Sequence, residues 1–265
     1  MCMLVLAWQV HGRYRLVVAA NRDEFHERGA APLAKWPPPA DILAGRDLRS
    51  QGTWLGIDQA RRFGVVTNYR ELQTPLPAAP SRGLLIPAYL ATRSGGGDAH
   101  PAGFFATLEA QAQRYSGFNL LLADADSLWY GSNRAAPFAR GLPPGVYGLA
   151  NDSLDTPWPK LQRVRRGFEK WLQAGTAVGM AELFTLLADR TPAEAPPGAS
   201  TGGLPREWAR ALSAPFVLHP QYGTRCSTVL LLGSGGDVQL AERRFDAAGR
   251  LTGESDFRLQ PGEWP

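Results

Sequence analysis

The sequence predicts an α+β fold, and two observations carry it. Strand-like runs occupy both ends of the chain, and helix-period runs lie between them. The strands come in pairs joined by short polar turns, the mark of antiparallel hairpins. At 265 residues with a hydrophobic fraction of 44%, a substantial core is available. No stretch reads as a strong linker between two cores, so residues 1–265 are expected to form one domain.

The first hairpin joins residues 2–10 to 14–20 across His11-Gly12-Arg13, and its second strand runs out at Asn21-Arg22-Asp23-Glu24. A second hairpin joins Gly52–Asp58 to Phe63–Tyr69 across residues 59–62. Ser81 caps an expected helix to about Thr92, and a second amphipathic stretch covers roughly 101–113. The glycine-rich segment Ser94–Asp98 between them reads as a linker. Gly117–Asp124 and Ser127–Gly131 form another hairpin, and Val146–Ala150 is a short strand. Pro157-Trp158-Pro159 then opens a helix to about Gln173, since proline is tolerated in a first helical turn. Leu161, Val164, Phe168 and Leu172 form its core-facing stripe. A helix at about 178–190 is followed by a Pro/Gly/Ser-rich loop at 191–205. Strands Arg225–Gly233 and Val238–Arg244 close the fold, with an edge strand from Gly253 to Gln260.

Charge and composition exclude several classes. The net charge of +4 is a mild arginine excess, and the paired arginines are scattered among acidic residues. No nucleic-acid-reading motif is present. The opening apolar run is broken at Gln9 and has no basic residue before it, so it reads as neither a secretory signal nor a membrane span. Two cysteines are too few for a disulfide framework. A cytoplasmic protein is expected. No spacing suggests a metal site, and none of the glycine clusters carries the lysine of a phosphate-binding loop.

The chemistry concentrates at the start of the chain. Removal of Met1, expected because cysteine is small, makes Cys2 the first residue. It then carries a thiol and an α-amino group on one carbon, groups that ordinarily titrate near ~8.5 and ~7.7–8.0. Nucleophile and base sit in one residue, which is the logic of N-terminal-nucleophile (Ntn) enzymes.

Eight segments in chain order carry a family resemblance. They are Met-Cys at the start, Ala-Ala-Asn-Arg-Asp-Glu-Phe at 19–25, Gly-Thr-Trp-Leu-Gly at 52–56 and Thr-Asn-Tyr at 67–69. Ser-Gly-Phe-Asn-Leu at 116–120, Tyr-Gly-Leu-Ala-Asn at 147–151, Thr-Pro-Trp-Pro-Lys at 156–160 and Tyr-Gly-Thr-Arg-Cys-Ser-Thr-Val-Leu at 222–230 complete the set. Together they resemble the NRDE family, also called the Transport and Golgi organization 2 family. The resemblance implies an Ntn-hydrolase-like fold, a four-layer αββα sandwich of antiparallel sheets between helix layers. A more distant similarity is to the bile-salt hydrolases and penicillin V acylases.

On this resemblance the catalytic candidates are Cys2, Asp23, Asn68, Asn151 and Arg225. Cys2 attacks an acyl carbonyl, and its amino group takes or relays the proton. Asp23 orients the thiol or the amine, and Asn68 stabilises an oxyanion. Asn151 either holds the α-amino group or serves as a second donor. Arg225 depresses the thiol titration. Candidate ligand-binding residues are Asn21, Arg22, Glu24, Tyr69 and His219. One departure stands out. The acylase-type motif has arginine three residues before aspartate; here that position is Ala20, and Arg22 directly precedes Asp23. Adjacent strand residues point to opposite faces, so Arg22 and Asp23 are not expected both to face Cys2. The cation for the thiolate then comes from elsewhere, with Arg225 the candidate, while Arg22 pairs with Glu24 or Glu27 or binds an anionic ligand group.

Two functional readings follow. One is a Cys2-dependent hydrolase of an acyl amide or thioester that requires no cofactor. The other is a binding or transfer protein for an amphipathic anion such as haem or acyl-coenzyme A, ligands associated with the resembled family. The partner in either case is a small molecule. His11, His26, His100 and His219 are isolated in sequence, and no Cys-x-x-Cys-His haem-attachment motif occurs.

Overall fold

A computed structural model describes residues 2–70, 79–92, 99–175, 179–193 and 204–265. The Ser94–Asp98 linker, and most of the loop expected at 191–205, lie outside these residues. The described residues form an α+β structure with two antiparallel sheets and five α-helices. The chain divides into two compact units. The first comprises residues 1–27, 146–150 and 154–258; the second comprises residues 28–145, 151–153 and 259–265.

The sheet of the first unit contains β1 (Cys2–Trp8), β2 (Tyr14–Phe25), β10 (Gly145–Leu149), β11 (Tyr222–Gly233), β12 (Val238–Phe245) and β13 (Leu251–Leu259), in the order β10-β1-β2-β11-β12-β13. The central strands are apolar on both faces: Met3 and Val5 are fully buried, and so are Leu6, Leu16 and Val18. One face carries α3 (Pro159–Ala174) and α4 (Met180–Leu187). Leu161, Val164, Phe168 and Trp171 of α3 pack there with Met3, Val5, Val17, Ala19 and Val229. Trp171 takes the deep place expected for Leu172, which is only partly buried. A 3.6-residue repeat puts both positions near one stripe, and the larger ring fills the core.

β2 is longer than the hairpin pattern suggests. It continues through Asn21–Phe25 because β11 pairs with it along almost its whole length, from Tyr222↔Phe25 to Gly233↔Tyr14. A register shift between Thr224 and Cys226 leaves Arg225 as an inserted residue, a β-bulge. Arg225 therefore sits inside β11 and does not begin it.

The second unit holds a seven-stranded sheet in chain order: β3 (Ala30–Lys35), β4 (Ile42–Asp47), β5 (Leu55–Asp58), β6 (Phe63–Asn68), β7 (Phe118–Ala123), β8 (Leu128–Ser132) and β9 (Ala139–Leu142). Helices α1 (Leu85–Leu90) and α2 (Pro101–Glu109) cover it. β3, β4, β9 and the short α5 (Arg206–Leu212) of the first unit are elements that the sequence pattern did not predict. Ile86 of α1 lies over Gly64 so closely that a Cβ there would meet it at 3.1 Å. Phe105 of α2 lies over Gly131 in the same way, with a contact of 2.3 Å.

No helix among the described residues is long and apolar enough to cross a membrane. Gly131→Ala should overpack the α2 contact and cost about 1–3 kcal/mol. Urea denaturation checks this; an unchanged midpoint would mean that α2 shifts freely over β8.

Candidate functional site

The first unit places Cys2 in a cross-strand row. Cys2 pairs with Arg22 on β2, Arg22 pairs with Cys226 on β11, and Cys226 pairs with Arg244 on β12. Directly opposed residues share a face. Arg22, not Arg225, is thus the cross-strand neighbour of Cys2. Arg22 is 5% exposed, and its Nη2 lies 3.9 Å from Glu24 Oε2, the expected pairing. Asp23 falls on the other face, as strand alternation requires. Cys2 as a residue is partly exposed. Burial of its thiol pushes the titration up, as does the Asp23 carboxylate, while the amino-terminal charge and Arg22 pull it down.

Cys226 lies beyond Arg22 and is buried. Burial raises its thiol well above the ordinary range, and the charge of the buried Glu242 carboxylate raises it further. It is a structural thiol.

On the helix face, Asp23 Oδ1 accepts from Thr224 Oγ1 at 2.7 Å, and the Asp23 carbonyl accepts from Tyr222 Oη at 2.7 Å. Burial pushes the Asp23 carboxyl up, against the pull of Lys160, the amino-terminal charge, Thr224 and Arg22. Lys160, in the first turn of α3, is itself 7% exposed and donates to the Leu212 carbonyl at 2.8 Å. Thr224, Tyr222 and Lys160 were not singled out from sequence. Lys160 closes the Thr-Pro-Trp-Pro-Lys segment, and a lysine there was the available signal.

The remaining candidates of this unit divide. Asn21 is 1% exposed and spends its amide on the fold: Nδ2 donates to the Leu187 and Pro215 carbonyls at 2.9 Å each, and Oδ1 accepts from Ser227 Oγ at 2.6 Å. It ties α4 to β2 and has no polar atom left for a ligand. Glu24 Oε1 accepts the Phe25 N–H at 3.0 Å. Arg225 Nη1 donates to the His26 carbonyl at 2.9 Å. The His219 carbonyl accepts from His26 Nε2 at 3.0 Å, and the His219 ring stands 4.0 Å from that of Trp208. Phe25 and Tyr222 join this aromatic group, and Phe25 is 46% exposed.

The second unit gathers Asn68, Tyr69 and Asn151. Asn151 Nδ2 donates to the Asn68 carbonyl at 2.8 Å, and the Arg70 N–H donates to the Asn151 carbonyl at 2.7 Å. Tyr69 Oη donates to Asp152 Oδ1 at 3.2 Å. The half-buried Asn68 ends β6, and its side-chain amide makes no hydrogen bond among the described residues. That leaves its Nδ2 available as a donor. The Asn151 amide nitrogen, by contrast, is already used.

A family model described as Transport and Golgi organisation 2 matches residues 1–247. The chain belongs to that family. It is 33% identical over 267 residues to the Transport and Golgi organization protein 2 homolog of Bos taurus, covering 93% of this chain and 94% of the relative. The Homo sapiens homolog is 33% identical over 264 residues, at the same coverage. The Drosophila melanogaster Transport and Golgi organization protein 2 is 26% identical over 275 residues, covering 96% of this chain and 90% of the relative. In this family member, the segments that carry the resemblance supply both polar groups described above.

The raised Asp23 carboxyl has a signed consequence. A carboxyl raised in the folded state stabilises below about pH 3.9, and that contribution is lost as pH rises through the folded value. Asp23→Asn keeps an acceptor for Thr224 and carries no charge. It should be more stable than the natural chain at pH 7, by a margin that shrinks by pH 4. Urea midpoints at the two pH values check this, and a margin that grows on acidification would contradict it.

Proposed function

We propose that this family member is a cysteine hydrolase with an Ntn-hydrolase-like fold, acting on an amide or thioester of an acyl substrate from a mature chain that begins at Cys2. One observation carries the reading. Cys2 is cross-strand to a buried arginine.

Removing Met1 brings the α-amino group onto the carbon that bears the thiol side chain. Its charge then acts with Arg22 to favour the thiolate. The sulfur attacks the acyl carbonyl carbon and a C–S bond forms. The thiol proton passes to the α-amine and on to the leaving nitrogen or sulfur as its bond to carbon breaks. Water then attacks the acyl-enzyme, with the amine as base. The carboxylic acid leaves and the thiol is restored. Asp23 holds the amine. Arg225, anchored on His26, takes a ligand-orienting role in place of the thiolate-holding role expected from sequence.

A second reading is favoured by the partly exposed aromatic group. Phe25, Trp208 and His219, with Arg225 nearby, present ring surface beside a cation. That chemistry suits an amphipathic anion such as haem or an acyl-coenzyme A, bound without turnover.

Incubation of the Met1-free protein with S-hexanoyl-N-acetylcysteamine should add one hexanoyl mass to the Cys2 peptide and none to the Cys226 peptide. Cys2→Ala should abolish both adduct and thiol release. Equal turnover by Cys2→Ala, or a saturable complex with no adduct, would remove the hydrolase reading; the latter result favours binding.

A further inference from the structure

The turn between β1 and β2 is held by a single side chain. Gln9 enters it with φ at +52°, a left-handed backbone that carries a cost, while its N–H donates to the Arg15 carbonyl at 2.8 Å. Past Gln9, His11 Nδ1 accepts the Arg13 N–H at 3.1 Å and the Tyr14 N–H at 3.2 Å. One ring nitrogen can receive two donors only while it carries a lone pair. The imidazole is therefore neutral, with its hydrogen on Nε2. That nitrogen is buried and has no hydrogen-bond partner among the described residues.

The same ring is a packing element. It stacks on Tyr14 of β2 at 5.0 Å and on Trp171 of α3 at 5.8 Å, with interplanar angles of 27° and 28°. Trp171 is 4% exposed, and its Nε1 donates at 2.8 Å to the carbonyl of Gly179, the residue before α4. The Arg13 carbonyl accepts the Ser234 N–H at 3.0 Å, which ties the turn to the connection between β11 and β12. His11 thus joins the hairpin turn to the helix layer.

Protonation would undo this arrangement at both nitrogens. A hydrogen on Nδ1 would face two N–H donors, and both bonds would be lost. The charge would also reach Nε2, where no acceptor receives it. The groups facing the ring are the Tyr14 phenol, the Trp171 indole and Arg13 of the turn itself. Arg13 is the charged group among them. Its guanidinium lies 5.2 Å from the centre of the Tyr14 ring, and it repels a second cation on the imidazole. Burial and Arg13 both hold the imidazole below its ordinary value.

We propose that His11 is an acid-released latch: neutral, it closes the β1–β2 turn and fastens it to α3, and protonated, it lets the turn go. The latch does not depend on the chemistry of Cys2, which lies at the opposite end of β1. Linkage sets its sign. A histidine kept neutral by the fold stabilises fully above about pH 6.5, and that contribution is lost as pH falls through the folded value.

The test compares the full chain with His11→Asn, whose Oδ1 can accept the same two N–H groups and does not titrate. Amide hydrogen exchange, corrected for its intrinsic pH dependence, is followed at Arg13 and Tyr14 at pH 7.5 and pH 5. Protection in the natural chain should fall at least fivefold between the two, and in His11→Asn less than twofold. Equal losses in the two chains, or no loss in the natural one, would overturn the inference. A second measurement needs no variant. Imidazole nitrogen shifts of the natural chain should report a lone pair on Nδ1 at pH 7.5 and a midpoint below about 6.5. A hydrogen on Nδ1 at pH 7.5, or a midpoint at or above the ordinary value, would equally contradict it.

Discussion

The register of β1 against β2 is the constraint on which the site of the first unit depends. Because the side-chain period of a strand is two, a slip of one residue would exchange the faces of every side chain on β1. Cys2 would lose Arg22 and gain the helix side, while Met3 and Val5 would leave the core they share with α3. Apolar packing thus fixes the chemistry. β11 locks the same register from the other side, and its bulge at Arg225 allows Thr224 to meet Asp23 and Cys226 to meet Arg22 on either side of the inserted residue. The bulge re-aims one side chain without disturbing the rows around it.

Buried polarity then has to be matched. Asn21, Asp23, Thr224 and Lys160 are all nearly inaccessible, and each has a stated partner. Such networks contribute less to net stability than to a unique arrangement, since desolvation offsets most of the attraction. The opposing pulls on Cys2 follow from this. Burial raises the thiol while the amino-terminal charge and Arg22 lower it. An α-ammonium on Cys2 itself shifts that balance toward the thiolate. Under the proposed function, processing of the first residue is what turns this thiol into a nucleophile.

Much of this was legible in the sequence where local pattern and local chemistry agree. The hairpins at 2–20, 52–69 and 117–131 and the stripe of α3 are set by alternation, turn residues and helical period, and the structure contains them. β3 was missed because Ala30–Lys35 is a half-exposed, alanine-rich strand held by its neighbour, and such pairing is non-local. α5 is a short helix behind a proline, with one buried residue, Leu212, and so little periodic signal. For the site, strand alternation correctly separated Arg22 from Asp23. It could not choose which of them lies beside Cys2, because β1 and β2 are apolar on both faces and only the pairing register decides. The fixed orientation of the Asn151 amide depends on a carbonyl 83 residues earlier and had no sequence signal at all.

The proposed function depends most on Arg22 favouring the Cys2 thiolate. The direct measurement is the pH dependence of Cys2 alkylation by iodoacetamide in the Met1-free protein, compared with Arg22→Met and followed on the Cys2 peptide. The account predicts a natural-chain profile that titrates below the ordinary thiol value near ~8.5 and moves upward in Arg22→Met. Superimposable profiles would show that the cross-strand arginine leaves the thiol untouched, and the account would be wrong at its centre.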